Sequence, residues 1–145
     1  MTIRRAEVQD LDALCALALE LWPEHEAEEL WEELAGIMAQ PEAAFFLLEA
    51  GEDPVGFAQC QLRNDYVEGT ETSPVGYLEG VYVRPSHRGK GGARELLKAC
   101  ERWAASFGCT EFASDCEQGN EASLAFHLNV GFKEANRIIC FTKKL

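Results

Sequence analysis

The chain has 145 residues, 47% of them apolar and 26% charged, a length that suits one domain with a single sizeable core. No apolar run reaches the roughly 18 residues that a membrane-spanning helix needs, so a helical membrane span is excluded. With 25 acidic side chains against 13 basic ones, the net charge of -12 argues against a broad nucleic-acid surface, and we expect a charged partner to be cationic.

The first part of the chain predicts a strand and two helices. Residues 1–5 predict a short strand, and Asp10 is the expected N-cap of an apolar-periodic helix that continues through Leu21. Pro23 breaks this pattern, and a second helix is predicted over residues 25–39. This second helix has its apolar residues on one side and a dense row of glutamates on the other.

Three strands of an antiparallel meander follow. Residues 43–50 and 55–64 are apolar runs joined by a turn at residues 51–54, and residues 75–83 predict a third strand after a polar loop. Beyond that strand, a basic glycine-rich loop leads into an amphipathic helix that is expected to end at Gly108.

The end of the chain predicts a strand, a helix and a last strand. Residues 111–115 are short and β-like, Asn120 is the expected cap of a helix through Val130, and residues 136–144 predict the final strand. The order is β-α-α-β-β-β-α-β-α-β, without an internal repeat or a long linker. It predicts one mixed α/β domain over residues 1–145.

The acidic excess is unevenly distributed. Residues 6–83 contain 18 acidic side chains and one basic one, Arg63, a local balance of -17. Residues 84–102 contain six basic side chains and two acidic ones, a balance of +4. A protein divided in this way can bind a cation with one part and an anion with the other, although acidic helices are also common as merely solvated surfaces.

Cysteine usage predicts a cytoplasmic protein. The N-terminus, MTIRRAEVQD, lacks the apolar region of a signal peptide, and none of the six cysteines forms a CxxC or Cys/His metal-binding pattern. We therefore expect reduced, mostly buried cysteines and no metal site.

The segment RGKGGA at residues 88–93 predicts a phosphate site. Glycines let the backbone approach a ligand closely, and the first N–H groups of the following helix point at one place with the helix dipole behind them. Arg88, Lys90 and Arg94 add positive charge. The pattern is neither a P-loop nor a Rossmann fingerprint, and a tight structural turn would explain the glycines about equally well.

Two motifs resemble those of the Gcn5-related N-acetyltransferase (GNAT) superfamily. Its pyrophosphate-loop pattern, [R/Q]-x-x-G-x-[G/A], is matched by Arg88, Gly91 and Ala93 after the strand LEGVYV. Its second signature, Asn-x-x-[A/S]-x-x-x-[Y/H]-x-x-x-G-F, is matched by Asn120, Ser123, His127, Gly131 and Phe132. The resemblance spans essentially the whole chain. It implies a mixed, mostly antiparallel sheet that is splayed at its centre and flanked by about four helices.

The resemblance also implies acetyl-CoA as co-substrate and transfer of its acetyl group to an amine. The backbone of Val81 and Val83 would pair with the pantetheine arm, an amide near Val81 would polarise the thioester carbonyl, and Asn120 would contact pantetheine from the start of the last helix. The pyrophosphate would bind to the loop, which consists of Arg88, Gly89, Lys90, Gly91, Gly92, Ala93 and Arg94.

Closer matches resemble one branch of the aminoglycoside 6'-N-acetyltransferases, enzymes of antibiotic resistance. They are the segment DYVEGT at residues 65–70, the following TSPVGYLEGVYV, the later EFASD, the Leu-Trp-Pro at residues 21–23 and the chain length. Aminoglycosides are flexible sugars with several ammonium groups, and carboxylates form strong charge-assisted hydrogen bonds with ammonium. An acidic pocket suits such a substrate.

Acetyl transfer to an ammonium requires a group that takes its proton, and a carboxylate can do so directly or through a water. In the strand at residues 75–83, the alternation of side chains predicts that Tyr77, Glu79 and Val81 share one face. An isolated carboxylate is costly to bury in such a strand, which favours a functional role for Glu79. Asp115 is expected at the mouth of the splayed sheet, although a plain turn residue is about as good an interpretation. Either carboxylate can be the base.

His127 stands where many members of the superfamily have a tyrosine that protonates the leaving thiolate. A histidine can donate a proton near neutral pH, although a packed surface residue is the other interpretation. Further residues expected to contact the substrate are Trp22, His25, Tyr66, Glu134 and Asn136, of which the last two would act across the interface of a homodimer. Trp103 is expected in the core.

Two other functions remain open at this point. One is a GNAT enzyme that acetylates another polyamine, a small amine or a protein N-terminus. The other is a non-catalytic acyl-CoA-binding module, which would not need Glu79 and Asp115.

Overall fold

The computed structural model describes residues 1–145 and contains five strands and four α-helices. The strands are β1 (Thr2–Arg5), β2 (Ala43–Ala50), β3 (Asp53–Arg63), β4 (Val75–Val83) and β5 (Phe112–Ser114). The helices are α1 (Leu11–Leu21), α2 (Ala27–Met38), α3 (Gly92–Ser106) and α4 (Glu121–Asn129). Short 3-10 helices at Val8–Asp10 and Pro85–His87 precede α1 and α3.

The five strands form one sheet in the order β1-β2-β3-β4-β5. The first four are antiparallel neighbours, and β5 runs parallel to β4, which makes the sheet mixed. Pairing between β4 and β5 covers only residues 76–78 and 112–114, while β4 continues to Val83. Residues 79–83 therefore have no partner strand on that side, and the predicted splay at the centre of the sheet is confirmed.

Helices cover both faces of this sheet. Phe45 and Leu47 of β2 point into a core with α1 and α2, whereas Ala44 and Leu48 belong to a second core under α3. Successive strand residues point to opposite faces, so a strand that is buried on both sides needs apolar residues at nearly every position. That is why β2 has the uninterrupted sequence AAFFLL. The prediction that Trp103 lies in the core is confirmed: it belongs to α3 and packs in this second core.

A β-bulge interrupts the pairing of β3 with β4. Gln59 pairs with Gly80 and Cys60 pairs with Leu78, so Glu79 is an extra residue in β4. The prediction that Tyr77, Glu79 and Val81 share one face is therefore wrong for Val81, which packs against the core under α3. A bulge resets the alternation of the strand and re-aims the side chain at the bulged position.

The boundaries of the first nine elements agree with the sequence within a few residues, but the predicted final strand does not form. Residues 132–145 contain no strand, and Ile138, Ile139 and Phe141 are 66%, 79% and 86% exposed. The apolar residues of this segment favour a strand, but a strand is stable only beside a partner, and the short β5 gives it none within this chain.

None of the helices is both long enough and apolar enough to pass through a lipid bilayer.

Candidate active site

The loop between β4 and α3 leaves a row of backbone N–H groups free. Gly89 and Gly91 have φ angles of 78° and 80°, in the left-handed region that favours glycine, and Gly91 is the N-cap of α3. The N–H groups of residues 89–94 donate to no acceptor in the protein, and nothing lies within 4 Å of the place that a Cβ of Gly91 would occupy. This end of α3 has the geometry that binds an anion.

Two of the three basic side chains around this loop are already engaged. Arg88 Nε donates to the carbonyl of Val83 at 2.7 Å, and Arg94 Nη2 donates to the carbonyl of Asn129 at 3.1 Å. Lys90 is exposed. The loop is thus positively charged, but Arg88 and Arg94 also fix it to the end of β4 and to the end of α4.

A pocket of about 190 Å³ lies between the sheet and the helices α1 and α2. It is lined by Trp22, His25, Leu30, Glu33, Leu34, Ile37, Gln59 and Glu79. Trp22 packs edge-on against Phe57, with 5.9 Å between the ring centroids, and a Cβ on Gly80 would lie 2.7 Å from the Trp22 indole. Only a glycine at position 80 lets Trp22 occupy this wall.

Glu79 is held by a cation from the neighbouring strand. Its side chain is 16% exposed, and both of its oxygens accept from Nη2 of Arg63, at 2.5 and 3.0 Å. The Arg63 guanidinium lies over the ring of Tyr77, with its Cζ 3.5 Å from the ring centroid. This combination of an ion pair and a cation–π contact places the guanidinium between Glu79 and Tyr77.

Tyr77 extends the same chain of contacts to Asp115. The Tyr77 hydroxyl donates to the Asp115 carboxylate. Burial and this hydrogen bond raise the pKa of Tyr77 well above its ordinary value, so the phenol keeps its proton and remains the donor. The two carboxylates that the sequence singled out are therefore connected through Arg63 and Tyr77.

His127 contacts β5 through a serine hydroxyl. Its Nδ1 is 2.7 Å from the carbonyl of Ser123, an acceptor, so Nδ1 carries a proton. In the neutral ring, Nε2 then accepts from the hydroxyl of Ser114 at 2.8 Å, and the same hydroxyl lies 3.3 Å from the carbonyl of Leu78. Ser114 has a single proton, which it can donate to His127 or to Leu78.

An open cleft of about 1640 Å³ extends along β5, α4 and the C-terminal segment. Among the predicted site residues, it is lined by Tyr66, Asp115, Asn120, His127, Glu134 and Asn136. Asn120 accepts the N–H of Ser123 at 3.2 Å and so caps α4, as predicted. Asn136 donates to Glu68 at 2.7 Å, and Glu134 accepts from Arg137.

Apart from Val81 and Val83, which lie on β4, the predicted site residues fall into three groups. Trp22, His25 and Glu79 line the pocket, and the glycine loop lies at the start of α3. The cleft is lined by the third group, which consists of Tyr66, Asp115, Asn120, His127, Glu134 and Asn136. The pocket and the cleft are adjacent, because Glu79 lines the first while its partner Arg63 lines the second. No three His, Cys, Asp or Glu side chains cluster closely enough to hold a metal ion.

Sequence reasoning missed four polar residues of the site. Arg63 carried a signal, since it is the single basic residue in a long acidic block. Glu33 was one of many glutamates on α2, and Gln59, one of the two buried polar residues, lies inside an apolar strand. Ser114 gave no signal, because its contact with His127 depends on how α4 packs beside β5.

Comparison with known proteins gives a consistent result. The model of the acetyltransferase (GNAT) family matches residues 8–132. The chain is 44% identical to an aminoglycoside N(6')-acetyltransferase type 1 of Stenotrophomonas maltophilia, over 99% of this chain and 94% of that protein. It is 39% identical to an aminoglycoside N(6')-acetyltransferase type 1 of Acinetobacter haemolyticus, over 100% of this chain and 99% of that protein.

Solved structures show the same fold. The apo crystal structure of the aminoglycoside antibiotic 6'-N-acetyltransferase AAC(6')-IG from Acinetobacter haemolyticus is similar with a TM-score of 0.95 at 37% identity, covering 100% of this chain and 99% of that one. The structure of AAC(6')-Iy in complex with the bisubstrate analog CoA-S-monomethyl-acetylneamine is similar with a TM-score of 0.95 at 35% identity, covering 99% and 98% of the two chains.

Proposed function

The chain belongs to the acetyltransferase (GNAT) family, and we infer that it is an aminoglycoside 6'-N-acetyltransferase. It transfers the acetyl group of acetyl-CoA to the 6'-amine of aminoglycoside antibiotics, which inactivates them and gives resistance. One domain over residues 1–145 carries this activity. The observation that carries the inference is the placement of Glu79, a largely buried carboxylate on the bulge of β4, between an acidic pocket and the splay of the sheet.

The residues present fit acetyl-CoA. The free N–H groups of residues 89–94 suit its pyrophosphate, and the open space at Gly91 lets the backbone come close to it. Beyond Leu78, the backbone of β4 is unpaired on one side, so Val81 and Val83 can bind the pantetheine arm as a partner strand would. When bound, acetyl-CoA supplies an activated acetyl group as a thioester.

We assign the proton transfers to two groups of side chains. Glu79 accepts the proton of the substrate ammonium, directly or through a water, while Asp115, held by Tyr77, binds a second polar group of the substrate. The leaving thiolate receives its proton from the second group, His127 and Ser114. The His127 imidazolium donates its Nε2 proton to the Ser114 oxygen, its only partner, and the Ser114 hydroxyl passes its own proton to the leaving sulfur. His127 thus acts through Ser114 rather than alone.

The pocket combines acidic and apolar side chains, and this combination suits a polycationic acceptor. Glu33 and Glu79 provide the carboxylates, and Trp22 and His25 provide rings that can cover a sugar. The acidic residues of α2 add a field that attracts a cation without contacting it. Tyr66, Glu134 and Asn136 line the cleft and would meet the more distant rings.

Neomycin and paromomycin test the acceptor atom, since they differ by an amine or a hydroxyl at the 6' position. With purified protein and acetyl-CoA, we expect thiol release with neomycin or kanamycin and almost none with paromomycin. Equal rates with both members of the pair, or turnover of spermidine without turnover of any 6'-amino aminoglycoside, would refute the assignment.

Neutral replacements of the carboxylates test the proton acceptor. We expect Glu79→Gln to lower kcat by roughly 100-fold or more, the usual contribution of a general base, with a thermal midpoint near that of the unaltered protein. Asp115→Asn should lower turnover too, with a larger share in KM. Glu20→Gln is the control, because Glu20 is also paired with an arginine, Arg84, at 3.0 Å. Near-normal turnover in Glu79→Gln would assign the proton to another group.

The glycine loop is tested by Gly91→Val. A β-branched residue with φ near 80° is strained, and its side chain would fill the space above the free N–H groups, so we expect CoA to bind about 10-fold more weakly or worse in calorimetry. Gly51→Val is the matched control, because Gly51 has a φ of 66° and equally open space but lies in the β2–β3 turn. Unchanged CoA affinity in Gly91→Val would exclude the loop as the pyrophosphate site.

We further propose that the enzyme is a homodimer. The apolar residues Ile138, Ile139 and Phe141 lie exposed on a segment that has no partner strand, which supports an interface between two copies. Glu134 and Asn136, at the start of that segment, would then lie at the interface beside the cleft. A monomer mass in sedimentation velocity at micromolar concentration would contradict this.

The cytoplasm is the compartment that we propose, because acetyl-CoA is produced and used there. All six cysteines are free, and three of them are buried, which suits a reducing compartment. Recovery of the active enzyme in the periplasmic fraction of its cells would contradict the placement.

A further inference from the structure

Arg63 occupies an unusual position for a basic residue. It is the only Lys or Arg between residues 6 and 83. It is the last residue of β3, where it pairs with Val75, and its side chain reaches from there to Glu79 at the bulge of β4. Its Nη2 binds both oxygens of Glu79, and its guanidinium lies over Tyr77 with Cζ 3.5 Å from the ring centroid. The acidic half of the protein therefore places its single cation on the proposed base.

The contact leaves part of the Glu79 carboxylate available. Glu79 lines the pocket, whereas Arg63 and Tyr77 line the cleft, so the guanidinium approaches the carboxylate from the cleft side. A carboxylate has about four lone-pair positions, and a single nitrogen of Arg63 contacts it. The remaining positions can accept hydrogen bonds from an ammonium in the pocket.

Without Arg63, the pocket would hold an uncompensated charge. The Glu79 side chain is 16% exposed, and a carboxylate that is largely removed from water needs a partner. The other charged or titratable groups near it are His25 and Glu33 across the pocket, and Tyr77 with Asp115 behind Arg63. Of these, Glu33 and Asp115 add further negative charge, so Arg63 is the permanent cation of the site.

We propose that Arg63 is the internal counter-ion of Glu79. It orients the Glu79 carboxylate for turnover, and it competes with the substrate ammonium for that carboxylate. The proposal rests on the proposed function for the identity of that substrate. Two cations that share one carboxylate from opposite sides repel each other, so Arg63 lowers the affinity for a polycation. In return, it holds Glu79 at one orientation, and through Tyr77 it connects that orientation to the position of Asp115. Arg63 is thus a positioning residue and also limits the affinity of the site for cations.

A double-mutant cycle on binding separates this competition from a general charge effect. Neomycin is titrated calorimetrically, without acetyl-CoA and at one fixed salt concentration, into the unaltered protein, Arg63→Gln, Glu79→Gln and the double variant. We expect Arg63→Gln to bind neomycin about 3- to 10-fold more tightly, the range of a partly exposed ion pair. The gain should disappear in the Glu79→Gln background. An equal gain in both backgrounds, or no gain in Arg63→Gln, overturns the proposal.

Turnover provides the second readout. We expect Arg63→Gln to lower kcat on the order of 10- to 100-fold while KM for neomycin stays the same or falls, because a misplaced carboxylate slows the reaction but still attracts the cation. Arg63→Lys keeps the charge, so its neomycin affinity should stay near that of the unaltered protein. Its kcat should remain reduced, since an ammonium lacks the planar group with which a guanidinium can stack on an aromatic ring.

The control is Arg84→Gln, which removes the same charge from the pair with Glu20. It should leave both the neomycin affinity and kcat within about 2-fold, the scale of an exposed pair. If Arg63→Gln lowers only the thermal midpoint, with normal kcat per folded molecule, the role is structural and the proposal is wrong. Should the unaltered chain bind neomycin without acetylating it, the proposed function fails while the binding cycle still decides on Arg63. Absence of any neomycin binding counts against both.

Discussion

β4 pairs with β5 over three residues and then continues without it. The site depends on this separation of the two strands. A strand inside a sheet normally exchanges hydrogen bonds on both sides. The backbone groups of residues 79–83 that face away from β3 therefore need another partner or water, apart from the Val83 carbonyl, which accepts from Arg88. In an acetyl-CoA-dependent enzyme, the pantetheine arm can provide that partner. Asn120, at the start of α4, lines the cleft together with Tyr77 of β4.

The bulge at Glu79 places a carboxylate beside the point where β4 and β5 separate. One extra residue in β4 places Glu79 on the side of α1 and α2, where it meets the pocket, while Val81 two residues later packs toward α3. A regular strand would have placed both side chains on the same face. The bulge is also where Gly80 faces the Trp22 indole, so one local irregularity sets the position of the proposed base and of the aromatic wall beside it.

The sequence was sufficient for the order of nine elements and for both motif-bearing segments, because these depend on local patterns. Asn120 caps α4, Gly91 adopts the left-handed conformation, and Gly108 follows α3 with a φ of 86°. The rest depends on pairing between distant segments. A strand at residues 136–144 requires a partner that the chain does not offer, and the bulge depends on the register of β4 against β3.

The contacts around the candidate base also depend on how distant segments pair, so local sequence patterns do not predict them. Arg63 could be counted from the sequence, but its place on Glu79 depends on the antiparallel register of β3 and β4. Ser114 becomes part of the site only because α4 carries His127 back to β5. Likewise, the link from Tyr77 to Asp115 joins β4 to the residue after β5, and no spacing in the sequence indicates it.

Two arginine–carboxylate contacts on this sheet show how a structural ion pair differs from the one at the site. Arg4 binds Asp10 with two nitrogens, at 2.7 and 2.8 Å, and Asp10 also accepts the N–H of Glu7 at 2.8 Å. The Arg4 guanidinium holds the pKa of Asp10 below its ordinary value, and these bonds fix β1 to the start of α1. Glu79, in contrast, is contacted by a single nitrogen and lines a pocket. A saturated carboxylate stabilises the fold, whereas one that keeps free lone pairs toward a cavity can still bind a cation and take its proton.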